Sequence, residues 1–587
     1  MKKIIFSALS AFMLVIMVLS SCDVQRSNTT GWNYNDPDYG GFEYVDYYGQ
    51  ETGPGLVLIE GGTFSMGRVE QDVLYDWNNV PRRVTVSSFY MDETEIRNVD
   101  YREYMYWLKR VFATYPEVEK QARPDTNVWR SKLAYNEPYV ELYLRHPAYQ
   151  EYPVVGVSWV QADRYCVWRT DRVNEWILIR EGLLYKDPNQ VDAGNFSTDA
   201  YLANKFQEGA YRGPGIEDLD PNIDFRNVRM EDGILLPRYR LPTEAEWEFA
   251  ALALIENHID ERVFHRKFFP WNGHYVRNDG QKEMGMIMAN SIRGKGDMMG
   301  TAGYLNDNAD ITAPVDAYWP NDYGLYCMAG NVNEWVMDIY RPLTFEDMDE
   351  FRPFRGNEYR RKTLNSDGTI ADKISEPQYN LTDIMYYMSK LDSVVRNMNP
   401  AEIALLDQIR TNLTVAKTKS DERKWEEVQI EIRKSVELLK SPAAEANIAP
   451  ILLAEFSKLS VSMPGQLKDQ RVTDEECFNR RNYNTSDNIN FLDGDFESST
   501  SYDSGTRAGH TSGKMYYQGN EAKFTPRGGN DMNSMINDRV RVYKGGSWND
   551  RIYWMVPGTR RFLDETQARA DLGFRCAMTR VGSPVGF

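Results

Sequence analysis

Thiols and imidazoles are scarce in this chain of 587 residues, with five of each, and that narrows the chemistry open to it. The histidines (146, 258, 265, 274 and 510) never fall at the i, i+4 helical spacing, which argues against a His-based transition-metal centre. The cysteines stand at 22, 166, 327, 477 and 576. Four would remain if Cys22 were consumed near the N-terminus, and four allow three disulfide pairings that spacing alone does not choose between. Two carboxylate clusters, Glu93/Glu95 and Glu244/Glu246/Glu248, have the spacing of acid–base pairs. A net charge of −18 and a pI near 5.0 argue against nucleic acid, whose phosphates would repel such a surface. Aromatic residues make up 13% of the chain, with 14 Trp, which is the composition of an ordered body.

The first segment reads as an export signal over 1–21. Lys2 and Lys3 precede an apolar run, Ile4 to Leu19, too short for a secure membrane span. It ends in Leu19-Ser20-Ser21-Cys22, a match to the bacterial lipobox, which predicts cleavage before Cys22 and acylation of its thiol, palmitate among the acyl chains. More than one acyl chain gives stable anchoring. Residues 22–54 are rich in Asn, Asp, Gly and Tyr and read as the anchor and a tether.

Short runs punctuated by glycine follow. Leu56–Ile59, the turn Glu60-Gly61-Gly62 and Thr63–Gly67 predict a hairpin, and Arg83–Val86 a strand. Pro153–Trp159 leads into a helix predicted to end at Tyr165-Cys166, and Pro242 is placed at the first turn of another, with Glu244 to Glu248 behind it. Between 342 and 537 the pattern turns helical. Apolar residues from Leu381 to Met398 fall at helical spacing, a second helix opens at Asn399-Pro400, and a third carries Trp425, Val428, Ile432, Val436 and Leu439. Residues 480–535 are rich in Asn, Ser, Gly and Asp and read as a loop.

The ordered strings Gly61-Gly62-Thr63-Phe64-Ser65-Met66-Gly67, Arg240-Leu241-Pro242-Thr243-Glu244-Ala245-Glu246-Trp247-Glu248, Gly330-Asn331-Val332-Asn333-Glu334-Trp335, Tyr543–Trp548 and Asp571–Ala577 resemble the formylglycine-generating (sulfatase-modifying factor) family. The resemblance implies an α+β, irregular, C-type-lectin-like mixed fold over 55–341 and 538–587, with an insertion at about 176–237 and a large helical and loop insertion over 342–537. Active members carry two copper-binding cysteines five residues apart after the GGS. Aligned on Gly545-Gly546-Ser547, those positions hold Asp550 and Met555, so no copper is expected; a carboxylate and a thioether do not replace a thiolate pair. The three-histidine iron domain of other relatives is not found. The resemblance implies that the acidic clusters Glu93/Glu95 and Glu244/Glu246/Glu248 are structural, as internal salt links and helix N-terminal charges.

The resemblance also pairs Cys166 with Cys576, a bridge that would contribute about 5 kcal/mol by loop entropy. It matches Asn290 and Asp307 to one structural calcium site, and Gly330, Val332 and Glu334 to a second, where Cys327 replaces an asparagine. A lipobox before such a domain, with Tyr340-Arg341-Pro342 and Pro557-Gly558-Thr559-Arg560-Arg561-Phe562, resembles gliding-motility and type IX secretion lipoproteins of the GldJ or GldK (PorK) type. That implies a non-catalytic outer-membrane scaffold facing the periplasm, with partners of the GldK, GldN, GldL and GldM type. A copper-dependent oxidase and a glycan- or peptide-binding surface lipoprotein are the alternative readings.

Overall fold

The structure is a computed structural model that describes residues 25–67, 78–206, 213–254, 267–292, 309–340, 350–379, 400–439, 461–471 and 539–582, with short breaks inside these ranges. Cys22, Cys477, Asp307, the predicted helix over 381–398 (Ile384 apart) and the loop over 480–535 lie outside the described residues. No helix among those described is long and apolar enough to cross a membrane.

In chain order, the elements that position the site are β1 (Leu56–Ile59), β2 (Gly62–Met66), β3 (Arg82–Val86), β4 (Phe89–Asp92), α1 (Asn98–Val111), α2 (Trp159–Arg180), β5 (Tyr239–Arg240), α3 (Glu244–Leu252), β6 (Asn333–Ile339), α4 (Pro400–Asp421), α5 (Trp425–Leu439), β7 (Val540–Lys544), β8 (Arg561–Asp564), β9 (Leu572–Gly573) and β10 (Ala577–Thr579). One antiparallel sheet has the order β1-β4-β10-β5, and a second has the order β8-β7-β6-β9, with β9 parallel to β6. The first sheet therefore brings a C-terminal strand against early ones, and the second groups three with the mid-chain β6. Between them lies a core that includes Phe64, Phe89, Met91, Trp247, Val336 and Val542.

The predicted hairpin is larger than its sequence indicated. β1 pairs with β4 (Leu56↔Asp92 to Ile59↔Phe89) and β2 with β3 (Gly62↔Val86 to Met66↔Arg82), so the arms are 56–66 and 82–92. Glu60-Gly61 is a bend within one arm. A Cβ at Gly61 would meet the Val86 carbonyl oxygen at 2.3 Å, and only glycine permits that approach.

Two helices also differ from expectation. α2 does not stop at Cys166 but continues to Arg180, because no breaker intervenes before Gly182, where φ is +74°. α3 begins at Glu244, not at Pro242. Thr243 caps it by accepting from the Glu246 N–H (3.2 Å), while Glu246 accepts from the Thr243 N–H (2.9 Å), and this reciprocal pair outweighs the proline. In the insertion, α4 and α5 pack together, burying Leu406, Ile409, Leu413 and Ala416 on one and Val428 and Ile432 on the other.

The chain divides into two units. The smaller comprises the N-terminal residues to 49 with 176–186 and 207–235; the larger holds both sheets. Residues 25–49, read from sequence as a tether, are folded in the smaller unit. Asn35 bonds the Tyr44 carbonyl through its side chain at 2.9 Å, and Arg226 pairs with Glu43 and, at 2.7 Å, with Asp232. Aromatic packing and an ion pair to a distant segment stand in for the missing aliphatic residues.

Candidate functional site

The GGS turn leaves β7 at Lys544. Gly545 and Gly546 both have positive φ (100° and 71°), and a Cβ on Gly546 would stand 3.0 Å from Met555 Cγ. That turn delivers Ser547 and Asp550 into a closed polar cluster. Arg561 on β8 donates to both Asp550 oxygens at 2.7 Å; Asn333 on β6 donates at 3.0 Å, and the Ser547 hydroxyl donates at 2.6 Å. Arg561 also donates to Asn333 and stacks over Trp554 and Tyr543 at 4.5 and 4.9 Å. Burial pushes the Asp550 carboxyl up, but Arg561 with the Ser547 and Asn333 bonds holds it below the usual carboxylate range. Met555 is fully buried among Phe269, Ala289 and Ala329. The two positions of interest are therefore an ion-paired carboxylate and a packing thioether. Neither is placed as a proton donor or nucleophile.

A second network lies deeper. Arg575 donates to both oxygens of Glu334 (2.6 and 2.7 Å), and Trp247 Nε1 donates to the same carboxylate at 2.8 Å; the charged pair is fully buried. Glu95 accepts from Asn331 Nδ2 at 2.7 Å and from the Val332 N–H at 3.3 Å. Burial, and then the Glu334 charge, push the Glu95 carboxyl well above its ordinary range. In a third network Lys544 lies between Glu248 (2.8 Å) and Glu244 (3.1 Å), and Arg560 pairs with Glu244 at 2.7 Å. Glu246 is taken by Arg240 at 2.7 Å. The acidic clusters are thus internal ion pairs.

In the second predicted calcium set both Glu334 oxygens are engaged by Arg575, and the Val332 N–H donates to Glu95. Asn290 and Gly330 do meet, since a Cβ on Gly330 would stand 2.4 Å from the Asn290 carbonyl oxygen. The Asn290 amide, however, donates to the Ile311 carbonyl at 2.7 Å. Among the described residues no group of three or more His, Cys, Asp or Glu side chains is arranged to hold a metal.

Sequence reasoning marked positions 550 and 555 but missed Arg561 and Asn333 as the supports of Asp550, and Lys544 as the cation between Glu244 and Glu248. The available signals were the lysine directly before two glycines and the paired arginines 560 and 561.

The sulfatase-modifying factor enzyme 1-like domain model matches residues 42–378, more than half of the chain. The chain belongs to this family. The formylglycine-generating enzyme of Mus musculus is 27% identical over 286 residues, covering 48% of this chain and 58% of that protein. The inactive C-alpha-formylglycine-generating enzyme 2 of the same animal is 25% identical over 318 residues, covering 50% and 72%. The formylglycine-generating enzyme of Thermomonospora curvata is 27% identical over 301 residues, covering 49% and 73%. The chain thus spans little more than half the length of the mouse enzyme, and the family contains both enzymes and a member named as inactive.

The Cys166 and Cys576 sulfurs are neighbours 3.4 Å apart, both buried and not bonded to each other in the structure. A disulfide needs about 2.05 Å, a small approach for side chains already in contact. Oxidation of the unfolded-free protein is expected to remove two titratable thiols and join the tryptic peptides of Cys166 and Cys576. Mass spectrometry under non-reducing conditions checks this.

Asp338 on β6 accepts from the Glu244 N–H at 2.7 Å and from the Arg355 N–H at 3.2 Å. Burial, with the Glu244 charge second, raises its carboxyl from 3.8 to about 7. A raised carboxyl favours folding while protonated. Its contribution is therefore full below about pH 4 and is lost as pH rises through about 7. Asp171, raised to about 6 by burial, adds the same sign in the lower part of that window. Urea midpoints are expected to fall from pH 5 to pH 8, and Asp338→Asn to flatten that slope.

Proposed function

We propose that this chain is a non-catalytic, lipid-anchored scaffold of the type IX secretion and gliding apparatus, held on the periplasmic side of the outer membrane. The observation that carries the non-catalytic part is the Asp550 cluster. The position that would offer a thiol to copper is a carboxylate with four donor contacts, from Arg561, Asn333 and Ser547, and its companion Met555 is sealed in an apolar cluster. A reactive centre needs an exposed, displaceable ligand, and this arrangement provides none.

The anchor rests on Leu19-Ser20-Ser21-Cys22, and the assignment to the secretion apparatus on the Pro557–Phe562 and Tyr340–Pro342 strings. The helical pair α4/α5 supports a docking role, because Val415 and Ile430 remain exposed on it. Partners of the GldK, GldN, GldL and GldM type are the expected contacts. The test is a mild-detergent pull-down of the tagged lipoprotein from its own membranes, followed by mass spectrometry. Stoichiometric recovery of secretion or gliding components is the expected result, and recovery of the lipoprotein alone would contradict it.

A further inference from the structure

The smaller unit has an unusual surface. Twelve of the 27 exposed large apolar side chains among the described residues belong to it, although it is the minor part of the chain. Its rings pack mainly on one another. Tyr34 stacks on Tyr44 (5.2 Å between centroids) and tilts against Phe42 (5.5 Å), while Trp32 meets Tyr39 edge-on at 6.5 Å. Phe42 nevertheless remains 63% exposed and Tyr48 93%. Rings ordered in this way lose little further entropy on binding.

Sequence position narrows what could cover them. The segment starts three residues after Cys22, and the bridge between Arg26 and Asn33 brings Trp32 back beside the first described residues. Arg26 is four residues from Cys22, a reach of at most about 14 Å. If Cys22 carries acyl chains, as the proposed function holds, these rings cannot be far from the headgroups of the leaflet that takes those chains. Trp and Tyr with one apolar and one polar side are the residues that partition to that depth.

We propose that the smaller unit rests on the bilayer surface through Trp32, Tyr39, Phe42, Tyr44 and Tyr48, with zwitterionic lipid headgroups as the occupant. Asp36, Asp38 and Asp46 in the same segment would be repelled by anionic headgroups, which fixes the choice of lipid. The acyl group supplies attachment; the rings supply orientation. This rests on the anchor reading above.

The experiment uses the mature full-length lipoprotein in phosphatidylethanolamine–phosphatidylcholine vesicles, with no other protein present. Intact mass first establishes acylation, and hydrogen exchange is then compared with the unacylated Cys22→Ser chain in solution. Amides over 36–49 are expected to exchange about fivefold or more slowly on vesicles. An acylated Y48S variant is expected to move toward the solution rate with unchanged melting. Acylated wild-type protein exchanging at the solution rate would overturn the inference, leave the anchor intact and assign the rings to a protein partner. A mass without acyl chains would overturn the anchor reading itself, and this inference with it.

Discussion

Replacing Arg575 with methionine will cost about 3–5 kcal/mol, because it strands the Glu334 carboxylate in the core without a cation. Arg575 and Glu334 are both fully inaccessible, and the guanidinium also donates to the Tyr326 and Asp92 carbonyls at 2.8 and 3.2 Å. Glu95 lies close enough to feel the same charge, so the loss of Arg575 leaves two carboxyls in one buried space. A loss of that size is a large fraction of the roughly 5–15 kcal/mol that a native fold commands. Adding Glu334→Met to Arg575→Met should recover part of the loss, since the desolvated charge goes too. The Trp247 N–H, the carbonyl groups that Arg575 met and the buried Glu95 carboxyl then remain. Urea midpoints of the two variants check this. A single variant within about 1 kcal/mol of the parent would mean that Arg575 is not the partner that neutralises this core.

Lys544→Met is the second large effect, about 3 kcal/mol, and it carries a signature in acid. Without the ammonium, Glu248 keeps the Gly67 N–H at 2.7 Å and loses its cation, while Glu244 retains Arg560. Burial alone would raise the Glu244 carboxyl. Arg560, Lys544 and Arg82 outweigh it and lower the group from 4.5 to about 2. A lowered carboxyl stabilises above its ordinary pKa, and the contribution disappears as pH falls through the folded value. Acid unfolding is therefore expected to move to higher pH in Lys544→Met, and a circular-dichroism titration between pH 2 and 5 reads it. An unchanged acid midpoint would remove Lys544 from the network.

These two networks explain what the sequence made legible and what it hid. The strings around Trp247, Glu334, Lys544 and Arg575 could be ordered along the chain, and they predicted a mixed helix-and-sheet domain of the family that matches. Their meaning as ion pairs could not be read. Lys544 meets Glu248 across 296 residues and Arg575 meets Glu334 across 241, and nothing local signals such a pairing. The same reason defeated the reading of 25–49 as a tether. Val45 is the one aliphatic residue there, but Glu43 finds Arg226 183 residues away, and the rings find each other.

Local chemistry misled in smaller ways. Pro242 drew the start of α3 forward, although Thr243 and Glu246 form the capping pair that sets it. Gly61 looked like a turn between two strands, and its real task is to let the backbone of Val86 and Ser88 approach. At the candidate site, Asp550 and Met555 were visible as departures from the family's thiols. What fixes Asp550 came from Asn333, 217 residues away, and from Arg561, which the sequence offered only as part of the Pro557–Phe562 string.

The most direct test of the central claim is a Cu(I) titration of the purified chain against a competing chelator, with oxygen consumption followed in the presence of a cysteine-containing peptide. The closed Asp550 cluster and the buried Met555 predict no stoichiometric copper uptake and no peptide-dependent oxygen use. One equivalent of tightly held copper with turnover of the peptide would contradict that claim, and would require a reactive centre built from residues other than these two.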